Sequence, residues 1–448
     1  MKRKIIILTI AFLSSVLMCA NVFAAASGRC GDSITWTLDD SGNLTLSGSG
    51  EMWNYGIVTS PFKDYGIKTV TIGDGITSIG DYAFYSCRGL TELTLPNSVT
   101  SIGNPNSVTS IGNSAFGGCS GLEKITVDGG NKRYDSRDNC NSIIETGTNT
   151  LIVGCKNSVI PNSVTSIGDG AFRGCSGLTE LILPNSVTSI GEYAFYYCSE
   201  LTELTLPNSV TSIGWYAFQG CTGLTELILP NSVRSIGDFA FSYCSGLEKI
   251  TVESGNSRYD SRDNCNSIID TEFNTLIVGC KNSIIPNSVT SIGDGAFWGC
   301  TGLTELTLPN SVTSIVDYAF YGCSGLSKIT SLAEIPPVCG REVFDRVNKT
   351  NCELIVLEGS VAAYTQAKGW KEFSNIRGFS GVEVTVAEGN TIRAIGNQIE
   401  ISGDFTSVEV YGVNGVLIYK GKDNVVTVPS AGIYLVHVAG KTRKIVVE

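Results

Sequence analysis

Histidine is almost absent from this chain, because the 448 residues include only His437. That scarcity excludes a histidine-rich zinc site, an HExxH helix and a relay of two histidines. Charge is also scarce, at 16% of residues against 42% hydrophobic residues, which is too apolar for a disordered chain. Acidic residues outnumber basic ones, and the net charge is −11. We therefore expect no nucleic acid and no anionic membrane surface as the main partner.

Long apolar runs are missing except at the start of the chain. Three basic residues at positions 2–4 precede a mostly apolar stretch at 5–22, and small residues follow it. This pattern predicts a secretory signal peptide over residues 1–24, which is removed on export. No later stretch reaches the roughly 18 apolar residues of a transmembrane helix. We expect an exported protein with no integral membrane segment after the signal is removed.

Repetition dominates the rest of the sequence. A unit Ala-Phe-x-x-Cys recurs, mostly at steps of 23 residues, and such a fixed short period predicts a repeat solenoid. Within a unit, Leu178, Leu181 and Leu183 follow the leucine-rich-repeat pattern, and Pro184 closes the strand. We predict β-rich units with short irregular or helical turns, stacked because one unit alone cannot bury its apolar face. The repeated cysteines are Cys87, Cys119, Cys175, Cys198, Cys221, Cys244, Cys300 and Cys323.

Two steps between these cysteines are longer, and both contain the same inserted segment. The sequence YDSRDNC occurs at 134–140 and again at 259–265, so the whole block recurs after 125 residues. A hairpin centred on residues 147–148 would place two cysteines opposite each other in each insert. We therefore predict cross-strand disulfides, because an exported chain can oxidise. The predicted pairs are Cys140 with Cys155 and Cys265 with Cys280.

Two irregularities interrupt the repeat. A nonapeptide at 96–104 is repeated at once at 105–113, and we expect it to bulge from the solenoid. The glycine after the Ser-Ile pair, Gly191 in one unit, is expected to adopt a backbone conformation closed to other residues. Val316 replaces it in the last regular unit, so we expect a strained or different turn there.

The repeated units resemble the BspA-type leucine-rich repeats of bacterial surface proteins. The resemblance rests on the consensus LTELTLPNSVTSIGxxAFxxC and covers about residues 66–376. It implies a repeat array at 66–330, an N-terminal β cap at 25–65 and a C-terminal capping unit at 331–377. It also implies adhesion, to host matrix proteins or to other cells, through the solenoid surface.

A separate tail follows at 378–448. Short alternating apolar runs, divided by glycine and Asp-Asn turns, predict a small β-sandwich. The end of the tail, GIYLV at 432–436 and KIVV at 444–447, resembles the C-terminal sorting domain of the type IX secretion system. That resemblance implies a Bacteroidota-type outer membrane, the secretion machinery as a partner, and a location at the outer-membrane surface or outside the cell. The alternative is a plain β accessory domain.

No catalytic, cofactor or metal-binding constellation emerges from the sequence. No repeat cysteine has a histidine partner for nucleophilic chemistry, and the cysteine column is expected to pack as small buried hydrophobes. The pairs Asp135/Asp138 and Asp260/Asp263 lack EF-hand spacing. A column of glutamates is expected to be a solvated ladder: Glu180, Glu203, Glu226 and Glu305. We predict a protein that is not an enzyme and needs no cofactor or metal.

Aromatic residues occupy variable positions of the units, where other units hold Gly, Ser, Gln or Arg. Such positions are expected near the surface, and exposed aromatic clusters mark binding surfaces. The alternative is that these rings cover the turns of neighbouring coils. The predicted function is binding of an extracellular protein, with a glycan as the alternative ligand. The candidate ligand-binding residues are Tyr196, Tyr197, Trp215, Tyr216, Phe239, Tyr243, Trp298, Tyr318 and Tyr321.

Overall fold

The computed structural model describes most of the chain, in nine segments. The predicted signal peptide at 1–24 and the second nonapeptide at 105–113 lie outside the described residues, so both stay predictions. The described residues are 26–63, 65–102, 114–379, 383–387, 390–395, 398–412, 417–430, 432–438 and 441–447.

The array begins with an antiparallel sheet of three strands. The third strand also pairs in parallel with the first strand of the repeats and with Gly75–Ile76. Trp36, on the second strand, packs its ring edge-on against Phe62 with a centroid distance of 5.6 Å. The sheet therefore covers the apolar end that a terminal coil would otherwise expose. Its strands are Ala26–Arg29, Ile34–Leu38 and Asn43–Gly50.

One column of parallel strands runs along the repeats, with one strand in each coil except the two that follow the inserts, where residues 154–165 and 280–290 form no strand. In the coil at 180–183, Leu181 and Leu183 are buried while Glu180 is exposed, as the period of two in a strand requires. Adjacent coils pair in register, so that Glu180 lies opposite Glu203. The strands are Thr69–Ile72, Glu92–Leu95, Lys124–Val127, Glu180–Ile182, Glu203–Thr205, Glu226–Leu229, Lys249–Val252, Glu305–Leu308, Lys328–Ser331, Glu353–Leu357 and Asn375–Phe379.

A second column consists of two-residue strands, mostly Ser-Ile. Its members are Ser78–Ile79, Ser101–Ile102, Ser166–Ile167, Ser189–Ile190, Ser212–Ile213, Ser235–Ile236, Ser291–Ile292, Ser314–Ile315 and Val338–Cys339. Outside the inserts, the helical elements of the described residues are short: the 3₁₀ turns Ser114–Phe116 and Glu358–Ser360, and the α-helix Val361–Tyr364.

The Ala-Phe-x-x-Cys segments form the third side of the coil. The Phe195 ring stacks on Phe172 and on Phe218 at centroid distances of 5.2 and 5.0 Å, and the stack continues to neighbouring coils. Each repeat cysteine lies beside this stack, and the Cys221 thiol donates to the Phe195 carbonyl at 3.2 Å. The predicted packing of these residues inside the solenoid is confirmed.

The two inserts are three-stranded hairpin layers, which we call the first wall and the second wall. The first wall consists of Tyr134–Asp135, Ile143–Glu145 and Thr150–Val153, with the 3₁₀ turn Arg137–Asn139. The second consists of Tyr259–Asp260, Ser267–Asp270 and Thr275–Gly279, with the 3₁₀ turn Arg262–Asn264. The last strand of each wall pairs in parallel with the next Ser-Ile strand, which makes the wall part of the solenoid.

Each wall is buried on both faces. Ile143 and Val153 belong to the hydrophobic cluster that precedes the first wall, whereas Ile144 and Leu151 belong to the cluster that follows it. The second wall divides its residues in the same way, with Ile268 and Val278 before it and Ile269 and Leu276 after it. The walls therefore separate the solenoid interior into three hydrophobic clusters.

The glycine after the Ser-Ile pair has a different role from the one we expected. Gly191 has no positive φ; instead, a Cβ atom there would lie 2.7 Å from the backbone nitrogen of Asp169 in the preceding coil. The expectation of a special backbone conformation was wrong, because close approach between coils is what requires glycine. Val316 keeps the same backbone hydrogen bond to the preceding coil, 2.8 Å to the Ile292 carbonyl.

The tail contains two four-stranded sheets that share one hydrophobic cluster. The first sheet has the order Glu383–Ala387, Asn390–Ile395, Gln398–Ser402, Val425–Thr427, and the second has Leu417–Gly421, Val408–Gly412, Gly432–Val438, Lys441–Val447. The predicted fold class, a repeat solenoid with a small β-sandwich, is confirmed. The exact domain boundaries stay predictions.

Candidate binding surface

Two residues in most Ala-Phe turns have a left-handed backbone; in the turn at 114–118 only Gly118 does. In one coil they are Tyr193, with φ of 54°, and Tyr197, with φ of 55°. The coil before it holds Gly170 and Gly174 at the same positions. Glycine adopts this conformation without cost, whereas another residue there costs about 1–3 kcal/mol and persists only where its surroundings hold it. Both columns accordingly hold glycine in some coils, while most of the other coils hold an aromatic residue.

Aromatic side chains of the first column contact each other from coil to coil, and Trp298, which comes three residues after the column position, joins them. We call Tyr193, Tyr216, Phe239, Trp298 and Tyr318 the aromatic ladder. Successive ring centroids lie 4.9, 5.1, 4.9 and 5.3 Å apart, with stacked geometry except for an edge-on contact between Phe239 and Trp298. The ladder crosses the second wall without a gap, because Gly295 carries no side chain and Trp298 fills the space.

The structure joins most of the predicted binding residues to this ladder. Tyr196 contacts Tyr193, and Tyr243 and Tyr321 contact Trp298. These rings are half-buried and cover neighbouring turns, as the alternative interpretation expected. Two predicted residues differ, since Tyr197 is 46% exposed and Trp215 is 54% exposed. Trp215 lies apart from the ladder, over Gly237 of the next coil.

Arg173 is a site residue that our sequence analysis missed. Its guanidinium carbon lies 5.4, 5.3 and 5.0 Å from the ring centroids of Tyr85, Tyr193 and Tyr196. It extends the ladder across the first wall, as Trp298 does across the second. Because residues 173 and 298 are 125 positions apart, the duplicated block aligns them. Aligning the two duplicated blocks would have drawn attention to Arg173, because it is an arginine at a position that holds tryptophan in the other block.

Arg173 lines an open cleft of about 500 Å³ on the solenoid surface, which we call the Arg173 cleft. Tyr85 and Arg88 stand on one side, and Tyr196 and Tyr197 on the other. The floor is low because Gly118 and Gly174 occupy positions that hold tyrosine in other coils. Burial raises the pKa of Tyr196, with Tyr197 adding to the shift and Arg173 opposing it.

The second wall has an acidic counterpart to this region. Burial, together with the nearby carboxylates of Asp317 and Asp238, raises the pKa of Asp294 to about 6. Its Oδ1 atom is buried without a hydrogen-bond partner. At the aligned position in the first block, Asp169 Oδ1 accepts a hydrogen bond from the Glu192 amide at 2.8 Å. In the first block, Gly191 precedes the donor Glu192. At the aligned position of the second block, Val316 precedes Asp317, whose amide would be the donor to Asp294.

The predicted disulfides are not formed in the structure, in which all four cysteines are free and buried. The predicted register is right at Glu145 and Thr150, but a bulge between Ile143 and Ile144 shifts it by one residue before Cys140. Cys140 packs in the cluster after the first wall and Cys155 in the cluster before it. The second wall has the same bulge, between Ile268 and Ile269, and it divides Cys265 from Cys280 in the same way.

The repeat cysteines are poor candidates for chemistry. Burial raises the pKa of Cys175 to about 12, and burial together with nearby Cys280 does the same at Cys300. A thiol with such a pKa stays protonated and is a weak nucleophile at neutral pH.

The other candidate groups are engaged in surface interactions. Asp135 pairs with Arg137 and Asp260 with Arg262, each at 2.8 Å. Glu226, from the predicted glutamate column, pairs with Lys249 of the next coil at 2.6 Å. Among the described residues, no three His, Cys, Asp or Glu side chains are placed to hold one metal ion. His437 lies on a strand of the tail, where Nδ1 is 2.8 Å from the Thr442 hydroxyl.

Comparison with known families identifies the array. The BspA-type leucine-rich repeat region matches residues 56–105, 104–146, 152–269 and 266–361, with six copies, and so covers more than half of the chain. The chain belongs to this family. The predicted resemblance of the repeats is thereby confirmed, while the matched residues end before the β tail.

Solved structures of bacterial leucine-rich repeat proteins are similar to this chain. A leucine-rich cell surface protein from Faecalibacterium prausnitzii is 23% identical, with 80% of this chain and 95% of that chain covered and a TM-score of 0.43. A leucine-rich repeat protein from Bacteroides ovatus is 23% identical, with coverage of 78% and 87% and a TM-score of 0.34. The pneumococcal vaccine antigen PcpA is 18% identical, with coverage of 80% and 99% and a TM-score of 0.36.

None of the curated proteins matches this chain. Within the described segments, no helix is both long and apolar enough to cross a bilayer.

Proposed function

We propose that this protein is a non-enzymatic binding protein, exported to the cell surface or secreted, which adheres to host matrix proteins or to other cells. The observation that carries the proposal is the aromatic ladder with its exposed neighbours, held on a stacked scaffold. A solenoid offers an extended repetitive surface to a protein partner, and exposed aromatic side chains are the anchors that such interfaces use most. Membership of a family of bacterial surface repeats supports the same function.

The test is a binding screen of the mature chain against immobilised matrix proteins and whole bacterial cells. We expect saturable binding to at least one of them, weakened by Tyr197→Ala, because this side chain is exposed beside the ladder. Phe273→Ala is the matched control, since Phe273 is also an exposed aromatic residue, 59% exposed, but makes no ring contact with the described ladder. Turnover of any polysaccharide or peptide by the chain would contradict a non-enzymatic role.

Glycan binding is a second candidate, favoured by Trp215. Its indole is 54% exposed, and one edge of it lies beside Gly237, so much of the ring is available to a sugar. On a glycan array, we expect binding that Trp215→Ala removes and that Trp298→Phe retains, because Trp298 is half-buried within the ladder. Unchanged array binding after Trp215→Ala would remove this candidate.

Export through an outer membrane is the third part of the proposal. The tail is a small β-sandwich, as a sorting domain would be, and its last two strands carry the GIYLV and KIVV segments that suggested it. We expect a fluorescent reporter fused to residues 378–448 to reach the surface or medium of a Bacteroidota host with type IX secretion. Retention of the reporter in the periplasm would leave the tail as an accessory domain.

A further inference from the structure

The Arg173 cleft is basic, although the protein as a whole is acidic. Arg88 and Arg173 line it, and no aspartate or glutamate does. The remaining polar lining consists of tyrosines and four serines: Ser86, Ser120, Ser176 and Ser199. In a chain of net charge −11, a carboxylate-free cleft with two guanidinium groups concentrates positive potential at one place.

Arg173 itself is a buried charge that forms no ion pair with another described residue. Its side chain is 8% exposed. One terminal nitrogen donates to the Ser114 hydroxyl at 3.2 Å and the guanidinium also hydrogen-bonds the Tyr82 side chain, while Nε is buried with no hydrogen-bond partner among the described residues. Three tyrosine rings contribute cation–π contacts, but a guanidinium has five donors, and an unpaired buried charge is costly.

We infer that the Arg173 cleft binds a saccharide that carries an anionic oxygen group, a carboxylate or a sulfate. The inference rests on the proposed glycan-binding role and gives that role a place and a ligand class. The anionic group pairs with Arg173, because the N–H groups of a guanidinium form charge-assisted hydrogen bonds with carboxylate and sulfate oxygens. Arg88, which is exposed at the rim, adds a second positive charge.

The lining favours a sugar over an acidic peptide. Serine hydroxyls both donate and accept hydrogen bonds, which matches the hydroxyl groups around a sugar ring. Tyr196 and Tyr197 form an edge-on pair with centroids 4.6 Å apart, and the exposed Tyr197 offers an apolar ring to the C–H face of a pyranose. A cleft with few, converging polar groups between aromatic walls is the usual form of a small-ligand site.

The second wall provides an internal comparison for this assignment. The aligned position there holds Trp298, and three carboxylates lie close together in that region: Asp238, Asp294 and Asp317. The two arginines nearby are paired, Arg341 with Asp317 at 2.6 Å and Arg258 with Asp270 at 3.2 Å. We call the region around Arg173, after the first wall, the first junction, and the region around Trp298, after the second wall, the second junction. The chain therefore contains one anion-binding junction and one acidic junction. Only the junction at the first wall is expected to take the anionic sugar.

The experiment compares two anionic sugars with a neutral sugar that has the same pyranose ring. Binding of methyl β-D-glucuronide, glucose 6-sulfate and methyl β-D-glucoside to the mature chain is measured by isothermal titration and by NMR. We expect at least one anionic sugar to bind about tenfold or more tightly than the glucoside, as a charge-assisted pair requires. The stronger of the two anions identifies the carboxylate or the sulfate as the source. Equal affinities, or no binding by any of the three, would overturn the inference.

Variants locate the site. Arg173→Met is expected to reduce affinity for the anionic sugar to that of the glucoside, with thermal unfolding recorded as a check on folding. If this variant does not fold, Arg88→Gln takes its place, because Arg88 is exposed and its loss is expected to weaken anion binding severalfold. Arg346→Gln is the matched control: Arg346 also lies over a tyrosine, 5.0 Å from the Tyr321 ring centroid, but outside the cleft. Loss of binding in the control, or none at Arg88 and Arg173, would contradict the assignment.

Two outcomes separate this inference from the proposed function. A tetraglutamate peptide that competes as strongly as the sugars would assign the cleft to acidic peptides and overturn the saccharide class. Array binding to neutral glycans that depends on Trp215, without any preference for anionic sugars, would sustain the glycan-binding role and overturn the cleft inference alone.

Discussion

The two junctions that follow the walls have the same interior and different surfaces. Phe172 and Phe297 are aligned by the duplication, and both are 1% exposed. The Phe172 ring packs on Gly154 and the Phe297 ring on Gly279, so closely that a Cβ atom at either glycine would lie 2.1 Å from the ring. One residue later, the first junction holds Arg173 and the second Trp298. Inside the solenoid, close packing leaves no room for a change of volume. Just beneath the surface, a buried arginine in one copy and a half-buried tryptophan in the other both fit among tyrosines, so this position could diverge after duplication.

The thiols beside the two junctions should react equally slowly, which tests the shared interior. The pKa of Cys175 and of Cys300 is raised to about 12 from 9.0, so the thiolate fraction near pH 8 falls about a thousandfold. We expect iodoacetamide to label neither residue appreciably in the folded chain and both in urea, as followed by peptide mass spectrometry. Rapid labelling at only one of them would show that the interiors differ.

Intact-mass analysis of the same samples tests the walls. Fifteen described cysteines are free, and we expect all of them to be alkylated in urea without reductant. If two alkyl groups were missing and the unlabelled cysteines were Cys140 with Cys155, or Cys265 with Cys280, the predicted disulfides would be present. That result would contradict the packing of these cysteines on opposite faces of the walls.

Truncation of the two aligned phenylalanines should be equally damaging. Each of Phe172→Ala and Phe297→Ala leaves a cavity beside its wall, and we expect a loss of about 3–5 kcal/mol in the free energy of unfolding. Urea unfolding monitored by circular dichroism measures both. Phe273→Ala is the surface control and should change stability by less than about 0.5 kcal/mol. A clear difference between the two core variants would break the equivalence of the junctions.

Asp294→Asn should stabilise the second junction in a pH-dependent way. Because the pKa of Asp294, about 6 in the folded chain, lies above its ordinary value of 3.8, the native state binds the proton more tightly than the unfolded chain. Stability therefore falls as pH rises from about 4 to about 6. Above pH 6 we expect the variant to be more stable by about 1 kcal/mol, a figure reduced for solvent screening, and below pH 4 to match the parent.

The aligned variant Asp169→Asn is the control for this pH dependence. The Asp169 carboxylate accepts the Glu192 amide, which opposes the rise in pKa that burial causes. We expect a smaller gain there, measured by urea unfolding across the same pH series. An equal gain at both positions would remove the distinction between the two junctions.

Val316→Gly should have the smallest effect on stability and a visible effect on titration. With glycine restored, the Asp317 amide can approach Asp294 Oδ1 as Glu192 approaches Asp169. One hydrogen bond contributes about 1 kcal/mol, which the conformational freedom of glycine offsets by about 0.5–1 kcal/mol. We expect little change in unfolding free energy and a lower pKa of Asp294 by NMR. An unchanged pKa would show that Val316 does not cause the missing bond.

The repeated features of this fold were predictable from the sequence, and the singular ones were not. The strand at Leu181 recurs in most coils, so each copy reinforces the pattern. The hairpin register at Glu145–Thr150 was right, but the bulge beside it involves one residue and has no side-chain signal. Arg173 occurs once, and its burial depends on Tyr85 and Tyr196 in other coils, which no local pattern reports. The requirement for glycine at Gly191 was recognised, while its cause, an approaching backbone, needed the neighbouring coil.

The walls also decide how this rod responds to pulling. A uniform solenoid transmits the loss of one coil to the next, since each coil depends on its neighbour for cover. Here the hydrophobic interior is closed off twice along its length, by layers that pack on both sides. Pulled from its two ends, the solenoid would therefore lengthen in separate steps, one compartment at a time, and would absorb mechanical work while the remaining compartments stayed folded.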